Sequence, residues 1–375
     1  MTAQPELDRM LLRKVDRLTH ATNAIINDGQ IILPGIRSGS VTTAYEPLAS
    51  LYQEIRQAKK RLSQHHSKLA SEQSASTTSL TPLTPLTPST VIENLVYKRE
   101  DLTTTRAYKV RGAVNAMAAT LDARHFCRRF VAVSTGNHAL GVLKAAELLR
   151  PESVRIFVPN NTSEVKLQNM EVALLAVREK GVTAEILFAG ETFDEAKAWA
   201  KTQIQDEYYL DPYSDEQVIA GQGTIGIELS EQLKPLLEAN PYIDEVVIIA
   251  PVGGGGLLTG LAAGLRMSAA WEPCFRAVNL SFIGLRLLEL ESVLGDAIRV
   301  KVIASKNREY FSALGIPTLE MSDDHMQMGL DFIKSDLGIV VEGASSGTVF
   351  PVLHYDTFYP SRHRLVVSVL SGANI

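Results

Sequence analysis

The chain has 375 residues, enough for two domains of ordinary size, and its 45% hydrophobic and 21% charged residues are typical of globular proteins. Its net charge of −5 gives no reason to expect a nucleic-acid or anionic-membrane partner. The two cysteines, Cys127 and Cys274, lack metal-ligand spacing and cannot form a disulfide framework, which favours a reducing compartment. The sequence shows neither the apolar core of a signal peptide nor a membrane-spanning run. We therefore expect a cytoplasmic location.

Residues 1–80 are interpreted as an N-terminal extension. Five apolar residues recur in it at helical spacing and predict a helix over 46–64, with Pro47 in its first turn. They are Leu48, Leu51, Ile55, Ala58 and Leu62. Residues 71–90 are rich in Ser, Thr and Pro, and we expect them to form an extended or mobile connector. The extension could cover a surface, form a dimer contact or be mobile.

After residue 90 the sequence alternates between predicted strands and helices. Several strands are continuous apolar runs, as in sheets that are covered on both faces. The predicted strands are Phe130–Val133, Arg155–Val158, Glu185–Phe188, Val246–Ala250 and Leu365–Leu370, and two of the predicted helices are Ala139–Leu149 and Phe193–Ile204. This alternation predicts an α/β fold with mostly parallel sheets, in which ligands bind at the carboxyl ends of the strands.

A run of four glycines, Gly253–Gly256, follows the predicted strand Asp244–Val252 and precedes a helical pattern. Such a junction exposes backbone N–H groups, and the helix dipole favours an anion there. The alternative is a flexible turn, although four glycines are costly to order on folding. The run lacks both the Lys-Ser/Thr ending of a P-loop and the spacing of a dinucleotide motif. It therefore indicates a phosphate site without identifying the ligand.

Five segments, taken together and in order, resemble those of the threonine dehydratase and serine racemase family of fold-type II pyridoxal-phosphate enzymes. The first contains Lys-Arg-Glu-Asp and then an aromatic-Lys-x-Arg-Gly-Ala block around Lys109. The others are an asparagine loop, a Gly-Gln-Gly-Thr motif, the glycine run and a serine motif. In this chain they are Tyr97–Ala113, Ser134–His138, Gly221–Ile225, Pro251–Gly256 and Ser371–Asn374.

The resemblance implies two α/β domains with the cofactor, pyridoxal 5′-phosphate, in the cleft between them. The large cofactor-binding domain would comprise residues 81–125 and 210–375. The small domain, residues 126–209, would carry the asparagine loop. Relatives of this kind are commonly dimers or tetramers, so we expect a homo-oligomer.

The resemblance also implies roles for individual residues. Lys109 would form the Schiff base with the cofactor, Asn137 would hydrogen-bond its ring hydroxyl, and Ser371 would face its pyridine nitrogen. The phosphate would bind to Gly253, Gly254, Gly255 and Gly256. The substrate carboxylate would be received by Ser134, Thr135, Gly136, Asn137 and His138. Thr135 is also a candidate catalytic residue, because racemases of the family place a proton-delivering serine at that position.

Several residues depart from the family pattern. Ala107 replaces a common serine, and Arg106 stands where small residues are usual. Arg286 occupies the position of a cation-binding glutamate, so we expect no metal site. Residues 280–335 match the family loosely. Glu342 resembles a family glutamate but could equally cap a strand.

The predicted function is a dehydratase that converts L-threonine or L-serine to a 2-oxo acid and ammonia. One alternative is a racemase or a lyase for a related β-substituted amino acid, and another is a non-catalytic relative with a binding or regulatory role. Because the sequence stops one residue after Asn374, we expect no downstream amino-acid-sensing domain.

Overall fold

The computed structural model describes residues 25–27, 30–32, 46–72, 84–123, 127–270 and 272–374, with side chains from residue 47 to 65 in the first helix. The strands are β1 (Ile25–Asn27), β2 (Gln30–Ile32), β3 (Leu86–Pro88), β4 (Leu95–Arg99), β5 (Arg129–Val133), β6 (Ser153–Val158), β7 (Thr183–Phe188), β8 (Tyr208–Tyr209), β9 (Glu245–Pro251), β10 (Asn279–Leu287), β11 (Thr318–Met321) and β12 (Arg364–Leu370). The α-helices are α1 (Glu46–Glu72), α2 (Lys109–Ala123), α3 (Asn137–Leu149), α4 (Glu164–Glu179), α5 (Phe193–Gln203), α6 (Glu216–Ala239), α7 (Gly256–Ala269), α8 (Ser305–Leu314), α9 (Asp323–Leu337), α10 (Gly343–Ser346) and α11 (Phe350–His354). The five strands and two helices predicted by position are all confirmed, each within two residues at either end.

The larger sheet has six strands in the order β11-β10-β9-β12-β4-β3. All neighbours in it are parallel except β3, which pairs antiparallel with β4 at one edge. The central strand β9 is buried from Val246 to Pro251, as its continuous apolar sequence predicts. Strands β9, β12 and β4 therefore end side by side at one edge of this sheet.

The smaller sheet has four parallel strands in the order β7-β6-β5-β8. Its core includes Phe130 and Val142, and it also includes Val110 and Met117 from α2. Helix α2, which begins at Lys109, therefore packs its apolar side against the smaller sheet's core, although it follows a strand of the larger sheet. The assignment of residues to a large and a small domain remains a prediction.

Helix α1 belongs to the core of the larger sheet. Leu51, Ile55 and Ala58 are buried with the apolar side chains of α6 and α7. The helix extends to Glu72, eight residues beyond its predicted end. Of the predicted connector, residues 71–72 are helical, residues 73–83 lie outside the described part of the chain, and Leu86–Pro88 form the edge strand. The helical part of the extension thus covers the surface of α6 and α7.

The Gly-Gln-Gly-Thr motif lies inside α6, where its glycines permit close helix packing. A Cβ on Gly221 would lie 2.5 Å from the carbonyl oxygen of Arg111 in α2. A Cβ on Gly226, which directly follows the motif, would lie 2.2 Å from the carbonyl oxygen of Leu261 in α7. Both distances are shorter than any real carbon contact, so only glycine allows α6 to approach its two neighbours this closely.

A buried ion network joins β4, the turn after it, α2 and α6. Arg111 is fully buried and donates to Glu100 (2.7 and 2.9 Å) and to Glu228 (2.5 and 3.0 Å). Lys98 Nζ donates to Glu228 at 2.7 Å. The network fixes the first turns of α2 against α6, and therefore the position at which Lys109 enters α2. Within the described residues, no helix is both long enough and apolar enough to cross a membrane.

Candidate active site

Four strand ends carry the residues that the sequence singled out. Lys109 begins α2 after β4, and Asn137 begins α3 after β5. The glycine run connects β9 to α7, and Ser371 follows β12 directly. Because β4, β9 and β12 are parallel neighbours in one sheet, their carboxyl ends bring Lys109, the glycine run and Ser371 to the same edge.

The Lys109 ammonium is held by a loop after β8. Its Nζ donates a hydrogen bond to the carbonyl oxygen of Pro212 at 2.8 Å. Burial lowers the pKa of Lys109 to about 8, against a smaller opposing effect from the carboxylate of Asp211. A lysine with this pKa has a substantial uncharged fraction near neutral pH, which an amine needs in order to act as a nucleophile or a base.

Asp211 itself is ionised although it is buried. Burial opposes its ionisation, but the charge of Lys197 (Nζ to Oδ2, 2.9 Å) and hydrogen bonding from Ser214 outweigh this effect and lower the pKa of Asp211. No spacing pattern in the sequence marks this pair, which adjoins the lysine only after folding. It places a fixed negative charge near Lys109.

The glycine run has the conformation that its sequence predicts. Gly255 has φ of +94°, a left-handed value that favours glycine, and it caps α7. A Cβ on Gly254 would lie 2.2 Å from the ring of Tyr213. The first N–H groups of α7 have no acceptor within the helix, so this junction can bind an anion.

Asn137 contacts a buried carboxylate. Its Nδ2 donates to both carboxylate oxygens of Glu342 at 2.9 Å, and its Oδ1 accepts a hydrogen bond from Asn374 Nδ2 at 2.7 Å. Burial raises the pKa of Glu342, although the hydrogen bonds from Asn137 and Asn374 oppose the shift. Glu342 therefore does more than cap a strand, because it orients the amide of Asn137.

The segment before Lys109 is hydrogen-bonded to the segment that contains Ser371. Ala107 and Gly372 form an antiparallel β-bridge, and Tyr108 N–H donates to the Ser371 carbonyl at 3.0 Å. Ala107 is fully buried in this bridge. Arg106 has φ of +55° and is exposed. The Ser371 hydroxyl lies 3.0 Å from that of Ser345.

The asparagine loop turns directly into α3. Ser134 Oγ accepts a hydrogen bond from Gly136 N–H at 3.2 Å, and α3 begins at Asn137. His138 is buried and its Nε2 donates to the Leu210 carbonyl at 2.9 Å. Burial, together with the charge of Lys109, lowers the pKa of His138 to about 4. Its ring is therefore neutral, and what His138 offers a carboxylate is its backbone N–H.

Thr135 is half-buried in the same loop. No hydrogen bond among the described residues attaches it to Lys109. Arg286, one of the predicted departures from the family pattern, donates to the Lys301 carbonyl at 3.1 Å. Sequence reasoning missed Asp211, Pro212 and Tyr213, which reach the site only through the fold.

Comparison with protein families gives a match over most of the chain. A sequence model of the family described as "Pyridoxal-phosphate dependent enzyme" matches residues 72–372. The L-threonine ammonia-lyase of Geobacter sulfurreducens is 37% identical over 296 residues, which cover 75% of this chain and 67% of that protein.

A plant relative and a solved structure give the same picture. The chain is 30% identical over 293 residues to threonine dehydratase 1 biosynthetic, chloroplastic, of Solanum lycopersicum, which covers 75% of this chain but only 45% of that protein. The chain thus spans about half the length of that relative. The structure of the processed form of threonine deaminase isoform 2 from Solanum lycopersicum superposes with a TM-score of 0.70 at 23% identity, covering 94% of this chain and 95% of the other. The latter likeness shows the α/β fold.

Proposed function

The chain belongs to the family of pyridoxal-phosphate-dependent enzymes, and we propose that it is a dehydratase that converts L-threonine or L-serine to a 2-oxo acid and ammonia. The observation that carries this proposal is the half-buried Lys109, whose pKa is lowered to about 8, at the same sheet edge as the glycine run. The names of the relatives support the substrate class.

The residues present fit the cofactor. Lys109 offers an amine with a substantial uncharged fraction, and the glycine run offers the free N–H groups at the start of α7. Gly254 and Gly255 have no room for a side chain, so the backbone itself forms this surface. Ser371 offers a buried hydroxyl rather than a carboxylate.

We assign the cofactor's contacts accordingly. Lys109 would hold the aldehyde carbon, Gly253–Gly256 the phosphate, Asn137 the ring hydroxyl and Ser371 the pyridine nitrogen. When bound, pyridoxal phosphate supplies an aldehyde that bonds to amines and a ring that withdraws electrons from the substrate α-carbon. A serine near the pyridine nitrogen does not hold it protonated, which suits elimination better than transamination.

The chain's own groups then perform the remaining tasks. The backbone N–H groups at the start of α3, with the hydroxyls of Ser134 and Thr135, bind the substrate carboxylate. Lys109 Nζ, once free and uncharged, accepts the α-proton. Asp211 keeps the pKa of Lys109 from falling further, so the lysine can hold that proton.

The test is a 2-oxo-acid assay over L-threonine, L-serine and their D-enantiomers. We expect product from the L-amino acids, and a Lys109→Ala variant should lose turnover by at least about a thousandfold because nucleophile and base are removed together. Lys201→Ala, at an exposed position of α5, is the control. Product formation by Lys109→Ala at the parent rate would contradict the proposal.

Chiral analysis of the remaining substrate separates the alternative. The hydroxyl of Thr135 favours a racemase if it can deliver a proton to the second face of the substrate. Conversion of L-serine to D-serine without 2-oxo acid would establish that activity instead. A protein that stays colourless with added pyridoxal phosphate would support a non-catalytic role.

We further propose a homo-oligomer in the cytoplasm. The low cysteine count supports the compartment, and the family resemblance supports the oligomer. Light scattering of the purified chain and cell fractionation test the two statements separately.

A further inference from the structure

Asn307 lies on α8, in the region 280–335 that matches the family loosely. It is fully buried. Its Nδ2 donates to two backbone carbonyls, those of Tyr213 (2.7 Å) and Gly254 (2.8 Å). The opposite orientation of the amide would place Oδ1 against both carbonyl oxygens, so the contacts determine which atom is the donor. One side chain therefore holds two separate loops together.

The first of these loops is the glycine run. Gly254 offers its carbonyl to Asn307, and a Cβ on Gly255 would lie 2.9 Å from Asn307 Cβ. Ala304 N–H donates to the same Gly254 carbonyl at 3.2 Å. The start of α8 therefore packs directly against the loop at its left-handed residue.

The second loop carries the partner of Lys109. Tyr213, whose carbonyl accepts from Asn307, directly follows Pro212, whose carbonyl accepts from Lys109 Nζ. The Tyr213 ring packs on Gly254, and its carbonyl oxygen would lie 2.8 Å from a Cβ on Gly256. Pro212 and Tyr213, adjacent in the chain, thus contact the lysine and the glycine run respectively.

We propose that Asn307 is a positioning residue that fixes the glycine run relative to Lys109 and thereby sets the chain's affinity for the phosphate group of its cofactor. This inference rests on the proposed assignment of the phosphate to Gly253–Gly256.

The physical reason is the short reach of the ligand. The aldehyde and the phosphate of pyridoxal phosphate are attached to neighbouring ring carbons, the phosphate through a single CH2–O arm, so both ends bind well only if their two sites are held within a narrow range of separations. Loops fixed before binding lose less conformational freedom when the ligand arrives. Without Asn307 the Gly254 carbonyl keeps its hydrogen bond from Ala304 N–H, and the Gly255 carbonyl keeps that from Thr259 N–H. We therefore expect the loop to remain folded but less restrained.

The test compares two aldehydes that differ only in the phosphate. Pyridoxal phosphate and pyridoxal are titrated into the full chain after cofactor removal, and Schiff-base absorbance gives each dissociation constant. For Asn307→Ala we expect weaker binding of pyridoxal phosphate by about tenfold, as for one lost buried hydrogen-bonding group, and a change of less than about twofold for pyridoxal.

Asn307→Leu is the second variant, because it keeps nearly the same side-chain volume and adds no charge, but cannot donate to the two carbonyls. It should show the same selective loss, and it decides the question if the alanine variant is insoluble. Asn240→Ala is the matched control, since that amide also donates to a backbone carbonyl, that of Leu236, away from the site. We expect it to bind both aldehydes as the parent does.

Two results would overturn the inference. Variants that bind pyridoxal phosphate as tightly as the parent would show that Asn307 does not position the loop. Equal losses for both aldehydes would indicate general damage. Failure of the proposed function is distinguishable, because then the parent chain itself would bind no pyridoxal phosphate or release no 2-oxo acid.

Discussion

The reactivity of Lys109 depends on the surroundings that lower its pKa. An unperturbed lysine is almost entirely protonated at pH 8, whereas burial lowers the pKa of Lys109 to about 8. Only the uncharged amine attacks an aldehyde. The rate at which the cofactor-free chain captures pyridoxal phosphate should therefore rise with pH and level off above about pH 8.

The same reasoning predicts the direction in which a substitution at Asp211 shifts the pKa of Lys109. Its carboxylate raises the pKa of Lys109, and its removal also leaves Lys197 without that partner. Asp211→Asn should shift the midpoint of the pH dependence of the capture rate to lower pH. Stopped-flow absorbance measures this rate at each pH. Asp122→Asn, which removes an exposed carboxylate that pairs with Arg61, should leave the midpoint unchanged. A shift to higher pH in Asp211→Asn would contradict this account of the electrostatics.

At the scale of single residues, the sequence identified those site residues that lie in recognisable motifs. Lys109 and Asn137 were found through their neighbours in the chain. Asp211 and Tyr213, in the loop after β8, and Asn307, on α8, were not, because they reach the site only through the fold and no local pattern marks them. Glu342 was noted in the sequence, but as a residue that could simply cap a strand. Only its contact with Asn137 shows that it orients a side chain of the site.

Among the elements, α1 shows what hydrophobic periodicity can predict and what it cannot. The apolar spacing predicted the helix and its buried face, and Leu51 and Ile55 are indeed buried. The spacing could not show what covers that face. Its partner is α6, where a Cβ on Gly223 would lie 2.5 Å from Ile55 Cδ1.

Ile55→Ala should therefore destabilise the fold by about 2–5 kcal/mol, because it leaves a cavity between α1 and α6. Gln57→Ala, on the exposed face of the same helix, should change the unfolding free energy by less than about 0.5 kcal/mol. Urea unfolding monitored by circular dichroism measures both. Equal, small effects would mean that α1 is not part of the cooperative core.

For the whole molecule, two ion pairs link the helices of the smaller sheet to the segment that covers the glycine run. Lys166 of α4 pairs with Asp296, and Lys301 pairs with Asp194 of α5 at 3.7 Å. Val300, in the same segment, would lie 3.2 Å from a Cβ on Gly253. The segment 296–301 therefore connects the two sheets beside the candidate site.

These pairs are exposed, so each contributes at most about 1 kcal/mol and is screened by salt. We expect the KM for the amino acid to rise with ionic strength, because weaker pairs allow the two sheets to separate more often. Combined Asp194→Asn and Asp296→Asn should raise KM at low salt and remove the salt dependence. Asp206→Asn, which breaks an exposed pair with Arg129 on the smaller sheet, is the control. A salt dependence that persists in the double variant would contradict this expectation.

Local sequence patterns could not predict the strand order of the larger sheet. Strand β12 lies between β9 and β4, from distant parts of the chain, and periodicity carries no information about such pairing. The α/β class followed from alternation, and the fold type followed from the family resemblance.

The bridge between Ala107 and Gly372 has a consequence for how the protein acquires its cofactor. The bridge joins segments far apart in sequence. The segment before Lys109 and the segment that contains Ser371 therefore meet only after β12 has inserted between β9 and β4. Such non-local pairing is slow to form. Tight capture of pyridoxal phosphate should accordingly be among the last events of refolding, and the bound cofactor would then stabilise the completed topology by mass action. The yellow colour of the bound cofactor would thus report that β12 has taken its place in the larger sheet.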